Sequence, residues 1–382
     1  MTVSSFKTAH QLITGNGAAQ ELIGQLNKLG VENPFIVTDK GVSNSGTLTI
    51  ITDQLSEGSY AIYDNIPPEP EVSVVQACVE VFKQGNHDGL VAVGGGSAMD
   101  TAKCVAVMAE HVGDLESLFG ENMISQRNIP LIAIPTTAGT GSEVTNIAIL
   151  SDPKAQIKRG IVSGFLLPDV AIVSPEMTLS CPSNVTAASG VDALVHAIEA
   201  YLSNFSSPIT DALATKAMTL IIHALPKAFS EPGNVEARED MATGSLLAGL
   251  AFGNAGVGAV HALAYPLGGR YHISHGVSNA LLLPYVMEYN KPVCLERFYD
   301  IAKAFGEPVH TLTQLQAADR VMHRLRELCN EVAIPKNLSA LNIPRADIPQ
   351  LAEEAHNVKR LLRNNPRAPT VEDIAAIYQA AF

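Results

Sequence analysis

Five short apolar runs, each emptying into a polar or glycine-rich turn, occupy the first half of the chain: PFIVTD, SYAIYD, GLVAVGGG, PLIAIPTT and DVAIVSP. Helical stretches separate them. That alternation predicts repeated βα units around a largely parallel sheet, and it restricts the fold more than any other feature. Cys181-Pro182-Ser183 then punctuates the chain. Beyond it helical patterns take over, across Val185–Ser203, Pro208–Leu225 and Val235–Ala251, with Pro335, Pro344 and Pro349 marking turns between later helices. At 382 residues the chain exceeds one ordinary core. The expected organisation is an α/β domain over residues 1–181 and an all-helical domain over residues 182–382.

Composition narrows the function classes. Hydrophobic residues make up 47% and charged ones 16%, enough to bury a core. A net charge of −13 argues against nucleic acid or an anionic membrane as partner. The five cysteines are scattered, odd in number and without a C-x-x-C pair, the usage of reduced thiols. No signal pattern opens the chain and no apolar run reaches membrane-spanning length. These features predict a soluble cytoplasmic protein.

Two of the strand ends carry chemistry. In GLVAVGGGSAMDTAK, Gly94, Gly95 and Gly96 let the backbone turn sharply and approach a ligand closely. The helix that follows presents free N–H groups to an anion such as a pyrophosphate, with Ser97 and Asp100 as polar candidates beside them. The motif is not G-x-G-x-x-G, and an ordinary βα turn is the plainer reading taken alone. In PLIAIPTTAGTGSEVTN, Thr136, Thr137, Thr140 and Ser142 add hydroxyls at a second strand end. Two such turns feeding one crevice is how α/β proteins bind nucleotides.

The second half carries four potential metal ligands: Asp192, His196, His261 and His275. Asp192 and His196 lie four apart in a helical stretch, so one helix face presents both. Between His261 and His275, Pro266, Gly268 and Gly269 are expected to break the helix and let the chain turn back. One carboxylate and three imidazoles suit Fe²⁺ or Zn²⁺. Four protein donors close a tetrahedral zinc site, whereas Fe²⁺ at five or six ligands leaves room for substrate; zinc should still bind well in a purified sample.

GGGSAMDTAK, PTTAGTGSEVT, GVDALVHAIEAY and HALAYPLGGRYHISHG occur in this order in the iron-containing (group III) alcohol dehydrogenases, which the chain resembles from about residue 5 through its closing NNPRAPTVEDIAAIY. The resemblance implies a Rossmann-like N-terminal nucleotide-binding domain and an all-α metal-binding domain, the architecture shared with dehydroquinate synthase. It implies a metal-dependent, NAD(H)-linked interconversion of a primary alcohol and its aldehyde, in a homodimer or larger homo-oligomer. A divalent cation acidifies the alcohol hydroxyl, and in reverse it polarises the carbonyl. The resemblance further implies Lys158 beside the cofactor and Phe252 in the substrate pocket, and adds Leu179 as a cofactor contact or core residue. Asp39 ends the PFIVTD run, where a carboxylate accepts from a ribose 2′-OH and repels a 2′-phosphate. In the family an aspartate there goes with NAD, the reading favoured here over a capping or turn aspartate and over NADP(H).

The departures are informative. Many members carry a second histidine four residues after the third ligand, a proposed proton relay; here that residue is Tyr265, a poorer relay near neutral pH. It is expected to be a pocket wall, with His272 as an alternative imidazole. Ile147 offers no polar anchor, which favours an apolar or short alcohol over a diol. Rival readings are a dehydroquinate synthase-like or glycerol dehydrogenase-like enzyme on the same fold, or a non-catalytic nucleotide- and metal-binding protein. The first lacks the basic cluster a phosphorylated substrate needs, and intact ligands and turns argue against the last.

Overall fold

The computed structural model describes residues 3–152 and 157–382. Their contacts form two compact units: Lys7–Cys181, and Pro182–Phe382, to which the start of the chain up to Phe6 also belongs.

Among the described residues the Lys7–Cys181 unit holds nine strands: β1 (Gln11–Thr14), β2 (Pro34–Val37), β3 (Ala61–Tyr63), β4 (Gly89–Gly94), β5 (Gly120–Glu121), β6 (Leu131–Pro135), β7 (Ile147–Asp152), β8 (Ile157–Val162) and β9 (Val170–Val173). Six form one sheet in the order β1-β9-β6-β4-β2-β3, with every pairing parallel. β2, β4, β6 and β9 are buried along their whole length, which is why they read as unbroken apolar runs without alternation. Successive side chains still divide between two layers. Phe35, Leu90 and Leu131 enter one core, and Ile36, Val91 and Ile132 enter the other.

The strand order reverses beside β4. From β2 the chain steps outward to β3, then returns to β4 and proceeds the other way through β6 and β9. The carboxyl ends of β2 and β4 therefore flank a topological switch point, the place where open α/β sheets bind ligands. A second sheet, β5-β8-β7, was not legible in the sequence. Its main element is the antiparallel β7–β8 pair, whose IKRGIV strand carries two cations and a glycine in place of an apolar run.

In the Pro182–Phe382 unit, the helices Ser183–Leu202, Pro208–Ser230 and Val235–Ala255 pack on one another. Their starts follow local capping chemistry. Ser207 and Thr210 form a capping box, and Asn234 accepts from the Ala237 N–H. The Pro208–Ser230 helix continues through Pro226, beyond the expected end at Leu225.

The expected break between His261 and His275 is misplaced. Ala259–Tyr271 is one helix that runs through Pro266, Gly268 and Gly269. The proline removes the N–H that would have donated to the Ala262 carbonyl, and beside that lost bond the buried Tyr378 hydroxyl donates to the Leu263 carbonyl at 2.6 Å. The chain turns instead at His272, whose left-handed φ of 53° ends the helix before the next begins at His275.

Candidate functional site

In the Lys7–Cys181 unit, three strand ends meet at the switch point. Gly94 closes β4, and its carbonyl accepts from the Thr136 N–H at 3.0 Å, just past β6. Gly95 then precedes the Gly96–Met108 helix in extended conformation, and no side chain caps that helix start. Its first N–H groups are thus available to an anion. Steric limits explain the glycines. A Cβ on Gly94 would lie 2.6 Å from the Ala98 Cβ, and one on Gly96 would lie 2.8 Å from the Thr140 Cγ2. Thr137 also faces the turn, its Oγ1 3.4 Å from a Cβ built on Gly95, an ordinary contact. Asp39 stands past the end of β2. Its Oδ1 accepts from the Val42 N–H at 3.1 Å and so caps the Lys40–Ser45 helix, while Oδ2 lies 3.4 Å from a Cβ on Gly94. The capping role is real, and it leaves the second oxygen facing the glycine turn.

Asp100 and Ser142 are engaged with each other and with a residue the sequence did not reveal. Lys103, fully buried, donates to Ser142 Oγ (2.7 Å), Thr145 Oγ1 (3.2 Å) and the Ile147 carbonyl (2.8 Å). Ser142 donates to Asp100 Oδ1 at 2.6 Å, and the other Asp100 oxygen accepts from the Ile149 N–H at 2.9 Å. Burial pushes the Asp100 carboxyl up and the Lys103 ammonium down, each moderated by the other's charge. This network ties the helix after the first turn to the segment after the second. Lys158, on β8, pairs with Glu69 at 2.8 Å, and the Glu69 N–H donates to Ser97 Oγ at 3.1 Å. Glu69 holds a left-handed φ of 54°, which no local sequence signal announced. Ile147 opens β7 and Leu179 follows the Pro175–Thr178 turn, both half-buried.

In the Pro182–Phe382 unit, Asp192, His196, His261 and His275 converge. One ligand-type atom from each lies within 4.8 Å of every other. Asp192 and His196 come from successive turns of the Ser183–Leu202 helix, His261 from the first turn of Ala259–Tyr271, and His275 from the first residue of the next helix. The imidazole Nε2 atoms of His196, His261 and His275 stand 4.0, 3.7 and 3.9 Å from Asp192 oxygens. A cation about 2.1 Å from each donor sets tetrahedral edges of roughly 3.4 Å, and the three Asp192–imidazole pairs lie within about 0.6 Å of that. The His261 Nε2 is buried and has no hydrogen-bond partner among the described residues, whereas buried polar atoms are ordinarily paired. A carboxylate, three imidazoles and an orphaned nitrogen aimed among them fit a divalent cation. Burial pushes the Asp192 carboxyl up, but the three imidazoles and the Asn279 amide outweigh it and hold the group below the usual carboxylate range.

Phe252 lies flat on the His196 ring, centroids 4.2 Å apart, and the half-buried Tyr265 ring stands 6.3 Å from that of His275. His272 is exposed at its helix end. Two partners escaped the sequence reading. Asn279 donates to Asp192 Oδ1 at 2.6 Å, and Glu199 receives the His261 Nδ1 at 2.7 Å. Glu199 had a signal: seven residues after Asp192 and three after His196, it shares their helix face.

Residues 9–175 match the family described as iron-containing alcohol dehydrogenase, and residues 186–382 match the Fe-containing alcohol dehydrogenase family, C-terminal. The long-chain-alcohol dehydrogenase 1 of Geobacillus thermodenitrificans is 44% identical over 373 residues, covering 96% of this chain and 94% of that protein. A crystal structure of 1,3-propanediol oxidoreductase superposes with a TM-score of 0.96 at 38% identity, covering 100% of both chains. Sulfoacetaldehyde reductase from Bifidobacterium kashiwanohense, solved in complex with NAD⁺, superposes with a TM-score of 0.91 at 32% identity over 100% of this chain and 99% of that one.

Proposed function

The chain belongs to the iron-containing alcohol dehydrogenase family, and from that premise we propose how its residues divide the work of an NAD(H)-linked, metal-dependent oxidoreductase interconverting a primary alcohol and its aldehyde. Asp192, His196, His261 and His275 hold the divalent iron. The observation that carries this assignment is the buried, unpartnered Nε2 of His261 among three other donor atoms. Bound there, the cation lowers the pKa of the alcohol hydroxyl and, in the reverse direction, polarises the aldehyde carbonyl. Phe252 covers one face of His196 and limits the ring's freedom. The N–H groups at Gly95–Ser97 and the hydroxyls of Thr137 and Thr140 receive the pyrophosphate, with Lys158 supplying positive charge. Asp39 Oδ2 accepts from the adenosine ribose. Asp100 and Ser142, committed to Lys103, shape the turn from behind.

Localisation and assembly are part of the same proposal. Five free cysteines agree with a reducing compartment, and we place the enzyme in the cytoplasm. A homodimer or larger homo-oligomer belongs to the proposal, with the edge strand β1 as its candidate contact. Among the described residues no single helix is long and apolar enough to cross a membrane.

The test is direct. Purified protein supplied with Fe²⁺, NAD⁺ and a panel of primary alcohols should generate NADH absorbance, and chelation should abolish it. Metal-independent turnover, or none with any alcohol or aldehyde, would sink the reading. Within it, Tyr265 acts as a wall of the pocket. Tyr265→Phe should leave kcat nearly unchanged and shift only the preference among alcohols. A large loss of kcat at every pH with KM unchanged would instead place the phenol hydroxyl in the transition state.

A further inference from the structure

Glu199 lies outside the four-residue cluster, yet its carboxylate is hydrogen-bonded directly to one of the four, His261. It is 3% exposed, and both of its oxygens are used by the helix that carries His261. Oε2 receives the His261 Nδ1 at 2.7 Å, and Oε1 accepts from the Val260 N–H at 2.6 Å. The Ala259–Tyr271 helix has no side-chain cap of its own at Gly258, so Glu199 supplies one from another helix. A carboxylate can only accept. It therefore keeps the His261 proton on Nδ1 and leaves Nε2 as a lone pair, the same atom that stands buried without a partner among the other donors.

A second layer holds this arrangement. Asn365, in the closing NNPRAP stretch, accepts from the Ala259 N–H through Oδ1 (3.3 Å) and exchanges amide hydrogen bonds with the buried Asn290 (2.8 and 3.0 Å). Gly258 sits between the layers. A Cβ there would lie 3.0 Å from the Asn365 Oδ1 and 3.2 Å from the Glu199 Oε1. A side chain at that position would press on both and push them by a few tenths of an ångström.

We infer that Glu199 is a positioning residue for the metal site, fixing the tautomer and orientation of His261, and that Gly258 and Asn365 seat the helix start on which that contact depends. The inference rests on reading Asp192, His196, His261 and His275 as metal ligands. Glu199→Gln exposes the logic because it preserves shape. The amide has one acceptor for two N–H donors. With that oxygen on Val260, its NH₂ faces Nδ1 and favours the tautomer whose proton sits on Nε2, pointing at the cation.

The experiment measures Co²⁺ and Zn²⁺ dissociation constants by chelator competition, the visible spectrum of the Co²⁺ form, NADH binding by fluorescence, and the thermal unfolding midpoint of the metal-free protein. Glu199→Gln should bind metal about 10- to 100-fold more weakly, with an altered Co²⁺ spectrum and unchanged NADH affinity. Gly258→Ala and Asn365→Ala, which keep both Glu199 and His261, should weaken metal binding in the same direction by less. A folded Glu199→Gln protein with wild-type metal affinity and Co²⁺ spectrum would overturn the inference. If that variant does not fold, Asn365→Ala decides: weaker metal binding supports the inference, and wild-type binding overturns it. A wild type that binds neither ion would bring down the metal-site reading itself, a result distinct from tight wild-type binding that survives Glu199→Gln.

Discussion

His261→Ala is expected to reduce turnover by about 10³-fold or more, because a Lewis acid in such a site lowers the barrier by several kcal/mol and each 1.36 kcal/mol is tenfold in rate. The substitution removes the donor with the orphaned Nε2 and leaves Glu199 holding only the Val260 N–H. Metal retention should fall with activity. The fold should survive, since the helices Ser183–Leu202, Pro208–Ser230 and Val235–Ala255 bury their own apolar faces, unlike a zinc finger whose core is the ion. Losing one partner of the buried carboxylate should cost about 1–3 kcal/mol. The measurements are metal content by elemental analysis, helical content by circular dichroism, NADH binding and kcat. Full activity in metal-free His261→Ala would remove the central claim.

Asp39→Gly should raise kcat/KM for NADP⁺ relative to NAD⁺ by roughly 10- to 200-fold, the range expected when one discriminating contact of about 1–3 kcal/mol is lost. On the proposed reading the Asp39 oxygen that faces Gly94 would repel a 2′-phosphate and accept from a 2′-OH, so both effects should vanish together. Glycine is the right replacement because Asp39 also caps the Lys40–Ser45 helix. Glycine at an N-cap costs only a few tenths of a kcal/mol, whereas alanine costs about 1 kcal/mol. Steady-state kinetics with both nucleotides read the result. A wild type that already prefers NADP⁺ would show that Asp39 is a cap and nothing more.

Much of this was written locally. The runs PFIV, GLVAVG, LIAIP and VAIV appear as unbroken apolar strands because helices cover both faces of the sheet they join. Gly94 is a local necessity, since a Cβ there would lie 2.6 Å from the Ala98 Cβ four residues on. Asp192 and His196 share a face because the helix period puts them there. Such features depend on residues a few positions apart, and periodicity records them.

The tertiary structure decided whatever depends on residues far apart in sequence. Pro266 was expected to end a helix. A proline removes one hydrogen bond, yet the helix continues through it, and the Leu263 carbonyl beside the lost bond is held by the Tyr378 hydroxyl from 115 residues along the chain. Lys103 looked like an ordinary residue of its helix, but its ammonium is fully buried because Ser142, Thr145 and Ile147 bring three acceptors from about forty positions away. Glu69 meets Lys158 across 89 residues, Glu199 meets His261 across 62, and Asn365 reaches Ala259 across 106. The sequence by itself determined which elements form and which donor types they carry, because backbone sterics and apolar periodicity act between near neighbours. Only the folded chain decided which side chains hold those donors in place. A buried polar group must find its partner wherever packing brings one, and no pattern along the chain encodes that distance.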